Sequence, residues 1–200
     1  MRDDIGIAAL STVLRRLRLP ATLLSPLLAH ADAVRAASPR LGLVSTGDED
    51  SILMRHTADS LLFALAYPPV GGERWVDVGS GAGFPGMCLA ICYPQAGFSL
   101  VDANRKKAGF LDMQVLDLGL ANVRVFAERA ERLETDFDVA VARAVTDPAE
   151  ATRRLLTMVK PGGKVIVAGT GTVVGAEVVQ PDIPEVDSPR RLFMMTRTIE

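Results

Sequence analysis

Apolar residues fall at helical spacing in the first third of the chain and at strand spacing afterwards. Ile7, Leu10, Leu14 and Leu17 recur every three or four residues, with Arg15, Arg16 and Arg18 interleaved, which predicts an amphipathic helix. Pro20 stops it. Ser25 is placed to cap a second helix with Pro26 at its first position, and Pro39 and Gly42 mark a loop. Asp48, Glu49 and Asp50 supply an acidic first turn for a third helix, favourable at the positive end of its dipole. That helix runs to about Tyr67, where Pro68-Pro69 ends it and Gly71-Gly72 completes a linker. Residues 1–70 therefore read as a helical extension and 71–200 as the core domain.

From Arg74 the period changes. Short apolar runs at 74–79, 98–102, 123–126, 137–142 and 163–168 predict strands, with helices over 85–93, 104–118 and 147–159. Strands alternating with helices imply right-handed crossovers and a mainly parallel sheet, an α/β fold. Pro161-Gly162-Gly163 reads as a turn before the fifth strand. The segment 191–198 fits a last strand, antiparallel to the rest. No internal repeat is visible.

Composition adds little until charge is mapped. A hydrophobic content of 48%, a charged content of 23% and a net charge of -2 describe an ordinary globule with no global nucleic-acid footprint. Residues 1–40 nevertheless hold six arginines against three acids, a net +3; they form either a solvated helix face or an RNA contact. Cys88 and Cys92 stand four apart on one helix face, a poor spacing for a disulfide and too few ligands for zinc, so buried thiols are expected and no metal. Nothing resembles a signal peptide and no apolar run reaches membrane length, so a cytoplasmic protein with no membrane partner is expected.

The chemistry concentrates at Trp75-Val76-Asp77-Val78-Gly79-Ser80-Gly81-Ala82-Gly83-Phe84-Pro85-Gly86, a strand running into a glycine-rich turn and then a helix. Asp102 ends the second strand, where a carboxylate can accept from both ribose hydroxyls of a nucleotide-type cofactor. The loop formally fits a dinucleotide pattern, but its register differs: Asp77 precedes Gly79 by two, giving Asp-x-Gly-x-Gly-x-Gly, which resembles the first motif of class I methyltransferases, binders of S-adenosylmethionine. A pyrophosphate wants free amides at the helix N-terminus, and Pro85 removes one such donor. S-adenosylmethionine has no phosphate and carries a cationic sulfonium, so the loss matters little and the carboxylates suit it. Asn104 can cap the next helix, which places Arg105, Lys106 and Lys107 at the same rim. Three cations at a helix N-terminus oppose its dipole, which points to an anionic partner such as RNA phosphate. Phe84 either stacks on a base at the pocket mouth or packs under the loop. His56, Asp59 and Ser60 share one helical face, and Arg55 with Asp59 has the spacing of a plain i,i+4 ion pair.

Taken with Arg55-His56-x-x-Asp59-Ser60, Asp102 to Leu111, Arg129-Ala130-Glu131 and Ala142-Arg143-Ala144, the glycine loop and its Phe84-Pro85-Gly86 extension resemble the glucose-inhibited division protein B family, the RsmG guanine-N7 methyltransferases of 16S ribosomal RNA. The likeness covers about residues 43–168. It implies a Rossmann-like class I S-adenosylmethionine-dependent methyltransferase core with an N-terminal helical extension, acting on the 530 loop of 16S rRNA in the small ribosomal subunit. It implies that Gly79, Gly81 and Gly83 wrap the methionine end of the cofactor with Asp77 near its ammonium. Asp102 would hold the ribose, and Ala130 and Glu131 would flank the adenine. Lys106, Arg129 and Arg143 match positions important for cofactor binding or activity, with Arg143 and Lys106 as positioning groups in catalysis. His56 and Asp59 lie beside the pocket, and Arg15, Arg16, Arg18, Arg105 and Lys107 are the candidate RNA contacts. After the fifth strand the family usually has a lysine followed by glycine, and this chain has Ala168-Gly169-Thr170-Gly171.

Guanine N7 carries an in-plane lone pair, so no general base is needed and two histidines without a dyad suffice. Catalysis then rests on holding N7 in line with the methyl–sulfur bond at about 3–3.5 Å and on positioned electrostatics. A loop or remodelled nucleotide is the expected target, because stacked bases are hard to reach. Three other readings stand beside this one: a methyltransferase acting on protein or a small molecule, a non-catalytic RNA binder, and, furthest off, a nicotinamide oxidoreductase.

Overall fold

The computed structural model describes residues 2–48, 51–133, 135–181, 183, 186 and 191–199. Helix α1 (Arg2–Arg16) and helix α2 (Leu24–Leu41) come first, followed by a π-helical segment, Leu53–Ala58, that runs directly into α3 (Asp59–Ala66). The alternating half then reads β1 (Arg74–Val78), α4 (Gly86–Cys92), β2 (Gly97–Val101), α5 (Arg105–Asp117), β3 (Val123–Phe126), β4 (Phe137–Ala142), α6 (Pro148–Leu156) and β5 (Val159–Gly169). Strands β6 (Glu177–Val179) and β7 (Arg191–Thr196) close the chain. The sheet has the order β3-β2-β1-β4-β5-β7-β6. Strands β1 to β5 are parallel, and β7 pairs antiparallel with both β5 and β6. The order reverses direction between β1 and β4, the switch point at which ligands bind in such sheets.

Strand alternation sends successive side chains to opposite faces. Trp75, Phe98, Leu100, Val139 and Ile166 join one apolar cluster with α1 to α5, while Val76, Val101, Phe137, Ala140 and Val167 join a second one with α6. The helical extension thus shares its core with one face of the sheet. Cys88 and Cys92 are buried, unpaired thiols in α4, and burial pushes the Cys92 thiol up to about 12.

Four local expectations change. Helix α2 begins at Leu24 rather than after a Ser25 cap, because a 3-10 turn over Ala21–Leu23 leads into it and no side chain caps it. Pro39 sits inside its last turn instead of ending it; Gly42, left-handed at φ 58, donates to the Ser38 carbonyl at 2.8 Å and makes the stop. The third helix opens on the π-helical segment, and Glu49 and Asp50 of its acidic start lie outside the described residues. Pro161-Gly162-Gly163 is a bulge within β5, where the register with β4 shifts between Phe137 and Val139. A Cβ on Gly163 would stand 2.8 Å from the Lys160 carbonyl oxygen, so that bulge requires glycine.

Candidate functional site

The loop from β1 to α4 is stitched to β2 as well as to its own helix. The amides of Gly79 and Ser80 donate to the Val101 carbonyl at 2.8 and 3.0 Å. The Ser80 hydroxyl donates to the Asp77 carbonyl at 2.8 Å and accepts from the Val101 amide at 3.0 Å. Gly79, Gly81 and Gly83 all have positive φ (75, 57 and 95°), but they do different work. A Cβ on Gly79 would meet nothing within 4 Å, and one on Gly81 only the Gly79 carbonyl oxygen at 3.8 Å. These two leave an open cradle. A Cβ on Gly83 would stand 2.8 Å from the Met87 Cβ and 3.0 Å from His30 Nε2, so Gly83 serves packing. Gly86 serves packing too, wedged against Leu100 and Asp77.

Two carboxylates hold the loop, Asp102 at Gly81 and Asp77 at Gly86. Asp77 is 1% exposed; its Oδ2 accepts the Gly86 amide at 2.9 Å, while its buried Oδ1 has no hydrogen-bond partner among the described residues. Burial pushes Asp77 up to about 6, against the pull of the Gly86 amide and the Arg143 charge. Asp102 is half-buried at the end of β2 and accepts from the Gly81 amide at 2.9 Å and the Asn104 amide at 2.8 Å. Each carboxylate oxygen retains acceptor capacity. Asn104 caps α5 as expected, accepting from the amides of Lys106 and Lys107. Arg105 and Lys106 are exposed at this rim and Lys107 is half-buried. Across β3, Arg129 is exposed and Ala130 half-buried in a short 3-10 turn. Glu131 faces Arg154 at 3.7 Å over a groove of about 610 Å³ against α6.

Arg143 is not open at the mouth of β4. Its side chain is 7% exposed, paired with Asp59 at 2.9 Å. It also donates to the Arg55 carbonyl at 3.2 Å, meets His56 Nδ1 at 2.6 Å and lies 5.4 Å from the Phe84 ring centroid. The spacing of Arg55 and Asp59 misled: Asp59 takes Arg143, and Arg55 pairs with Asp48 at 3.0 Å. The π-helical segment turns His56 and Asp59 inward together while Arg55 stays outside. Phe84, 5% exposed, stacks on His56 at 5.3 Å and meets His30 edge-on at 5.4 Å. It packs beneath the loop and offers no free face to a base.

Sequence reasoning missed His30. It is fully buried in α2, bonded through Nδ1 to Gln114 of α5 at 3.3 Å, and abuts Gly83. Burial lowers it from 6.5 to about 4, so it is neutral. The signal available was a histidine in the apolar stripe of Leu27, Ala31 and Val34. Arg15, Arg16 and Arg18 are exposed at the end of α1, which packs chiefly on the π-helical segment rather than on the loop. Where the family has lysine followed by glycine, this chain has the buried Ala168 at the end of β5 and then Gly169, which abuts Pro148. Among the described residues no cluster of His, Cys, Asp or Glu is placed to hold a metal, and no helix is long and apolar enough to cross a membrane.

The family model described as rRNA small subunit methyltransferase G, GidB, matches residues 24–183. The chain belongs to this family. It is 36% identical over 166 residues to the ribosomal RNA small subunit methyltransferase G of Laribacter hongkongensis, covering 76% of this chain and 79% of the relative. It is 30% identical over 205 residues to that of Neisseria meningitidis serogroup B, covering 96% and 95%. Among solved structures, a SAM-dependent O-methyltransferase from Thermotoga maritima superposes with a TM-score of 0.58 at 18% identity, over 71% of this chain and 65% of that one. Magnesium protoporphyrin IX methyltransferase from Synechocystis, with bound SAM, gives 0.61 at 13% identity over 84% and 97%. This chain therefore has the Rossmann-like class I methyltransferase fold that its motifs implied.

Proposed function

We propose that this protein is a cytoplasmic enzyme that transfers a methyl group from S-adenosylmethionine to N7 of a guanine in 16S ribosomal RNA. The observation that carries the cofactor assignment is the open cradle above Gly79 and Gly81, with Asp102 held beside it by the Gly81 amide; Asp77, two residues ahead in β1, keeps a buried Oδ1 with no hydrogen-bond partner among the described residues. Buried carboxylate oxygens are costly unless paired, and the ammonium of a methionine moiety is a fitting partner. Asp102, already oriented by two backbone amides, accepts from the ribose. Ala130 and Glu131 border the adenine side.

When bound, the cofactor supplies an electrophilic methyl group to a nitrogen lone pair that carries no proton, so the protein needs no general base. What the chain contributes is orientation. Arg143, held by Asp59 and His56, is a positioning residue: it braces Phe84 beneath the loop and reaches the cofactor only through that loop. Lys106 and Arg129 are exposed at the rim, where they meet phosphate or the cofactor's carboxylate. The substrate class follows the family's name, and the rim cations Arg105, Lys106 and Lys107 support it, since without an anion they oppose the α5 dipole.

The test is transfer of labelled methyl to small-subunit particles, to protein-free 16S rRNA and to cell protein, followed by mapping of the modified nucleotide. Label at N7 of a single guanine in RNA is expected; label in protein, or none, overturns the proposal. Calorimetry is expected to show binding of S-adenosylmethionine and none of NAD. Asp102→Ala should lower the first affinity by at least tenfold.

A further inference from the structure

The sheet has a bare, basic face away from the cofactor rim. Between β3 and β4 the connection spans only residues 127–136, and among its described residues the regular structure is one 3-10 turn, Ala130–Arg132. The chain must return the length of the sheet in that span, which leaves too few residues for a crossover helix. Toward the starts of β2 and β3 the face opposite α4 and α5 is therefore left open, and a cleft of about 640 Å³ lies there. Its wall carries Arg74, Arg124 and Arg132, all exposed, against one acid, Glu128. Phe126 and Phe137 line it, and the Arg74 guanidinium stands 5.1 Å from the Phe137 ring centroid. Among the described residues Arg124 and Arg132 enter no ion pair. Arg132 sits three residues beyond Arg129, so the cleft is continuous along the chain with the rim.

We infer that this cleft is a second RNA-binding surface, taking a single-stranded phosphodiester segment that flanks the target nucleotide. The inference rests on the ribosomal RNA reading above. Three guanidinium groups beside the half-buried Phe126 ring are the chemistry that holds a phosphate chain carrying flat bases, while the buried Phe137 only seats Arg74. Three cations against one acid favour a polyanion over a protein surface of mixed charge. Local charge accounts for the site where the whole chain, at -2, gives no hint of it.

The experiment compares the wild type with Arg124→Glu/Arg132→Glu for affinity to protein-free 16S rRNA over a salt series, with S-adenosylmethionine affinity as the control. The double variant should bind RNA about tenfold or more weakly. Its plot of log affinity against log salt should be shallower by roughly 1–2, two phosphate contacts at about 0.7–0.9 each. Cofactor affinity should not move, and Arg124→Lys/Arg132→Lys should keep most of the RNA affinity. Arg124→Gln/Arg132→Gln, with no charge reversal, should show an intermediate loss. Unchanged RNA affinity and slope in the Glu variant overturn the inference. So does a loss seen with assembled small subunits but absent with protein-free RNA, which would make the cleft a contact for ribosomal protein. A wild type that neither binds nor methylates RNA overturns the underlying functional reading instead, and the inference with it.

Discussion

Asp77 and His30 abut the same glycine loop and carry opposite proton linkages. Burial raises Asp77 from 3.8 to about 6, so the folded state holds that proton more tightly than the unfolded chain does. Its contribution is fully present below about pH 4 and is lost as pH rises through about 6. Burial lowers His30 from 6.5 to about 4, so its contribution is fully present above about pH 6.5 and is lost as pH falls toward 4. Over that window the two slopes oppose each other. Asp77→Asn, which keeps an acceptor for the Gly86 amide, should unmask the His30 term. Its melting temperature should climb with pH where the wild type stays nearly flat. Near pH 7, without cofactor, the variant should be more stable by on the order of 2–3 kcal/mol and bind S-adenosylmethionine more weakly. Thermal melts from about pH 4 to about pH 7 check this, and parallel curves for the two proteins would refute it. The glycines give a second contrast. Gly83→Ala collides with Met87 and His30 and should lower the melting temperature. Gly79→Ala projects into the cradle and should act mainly on cofactor affinity, with only the modest cost of a strained left-handed residue. The spacing of these glycines was legible in the sequence, but their division of labour was not. It depends on His30, which arrives from a helix more than fifty residues earlier.

At the scale of elements, strands and helices were legible wherever a single period ran long enough, as in β1 to β4 and α4 to α6. What escaped were places where a few extra residues change the geometry without changing the pattern. The bulge in β5 and the π-helical segment ahead of α3 are of this kind. The π-helical segment matters because it lets His56 and Asp59 converge on Arg143, whereas a regular helix pairs Asp59 with Arg55. His56, Asp59 and Arg143 were thus singled out in advance, but their pairing was not, since partners across 84 positions leave no mark in local spacing. The Arg143–Asp59 pair ties the helical extension to β4 with both side chains 7% exposed. Asp59→Ala strands a buried guanidinium and should cost about 3–5 kcal/mol. Asp59→Ala combined with Arg143→Met should recover a large part of that loss in urea titrations, while neither variant regains full methyl transfer. Equal midpoints for Asp59→Ala and wild type would show that the pair carries no structural weight. Helix α1 ends in a further element-scale feature. Arg18 is left-handed at φ 56, and the Leu19 amide closes back on the Leu14 carbonyl at 2.9 Å, a position glycine usually holds. Arg18→Gly should raise stability by about 0.5–1 kcal/mol, and any RNA contact made by Arg18 would weaken in the same variant.

For the molecule as a whole, the division into an N-terminal extension and a methyltransferase core describes the order of elements better than the packing. One apolar cluster runs from Leu10 and Val13 of α1 and Leu27 and Val34 of α2 through Met87 and Leu89 of α4 to Trp75 and Leu100 of the sheet. Phe84 under the loop and Phe110 in α5 both meet His30 of α2. Helices that follow a glycine loop in an open sheet are ordinarily solvated on their outer side. Here α4 is buried at every position from Gly86 to Cys92, which requires a second helical layer over it. That layer is α1 to α3. Burial of this extent is worth about 1.5–3 kcal/mol for each large apolar side chain, so losing several of them exceeds the few kcal/mol by which a domain is stable. A chain starting at residue 43, without α1 and α2, should therefore collapse without cooperative unfolding and without the near-ultraviolet signature of packed aromatics. It should also fail to bind S-adenosylmethionine, because Gly83 and Phe84 lose the histidine against which the loop is set. A truncated chain that unfolds sharply in urea and keeps its cofactor affinity would show that the sheet and its own helices suffice, and that the extension serves RNA alone.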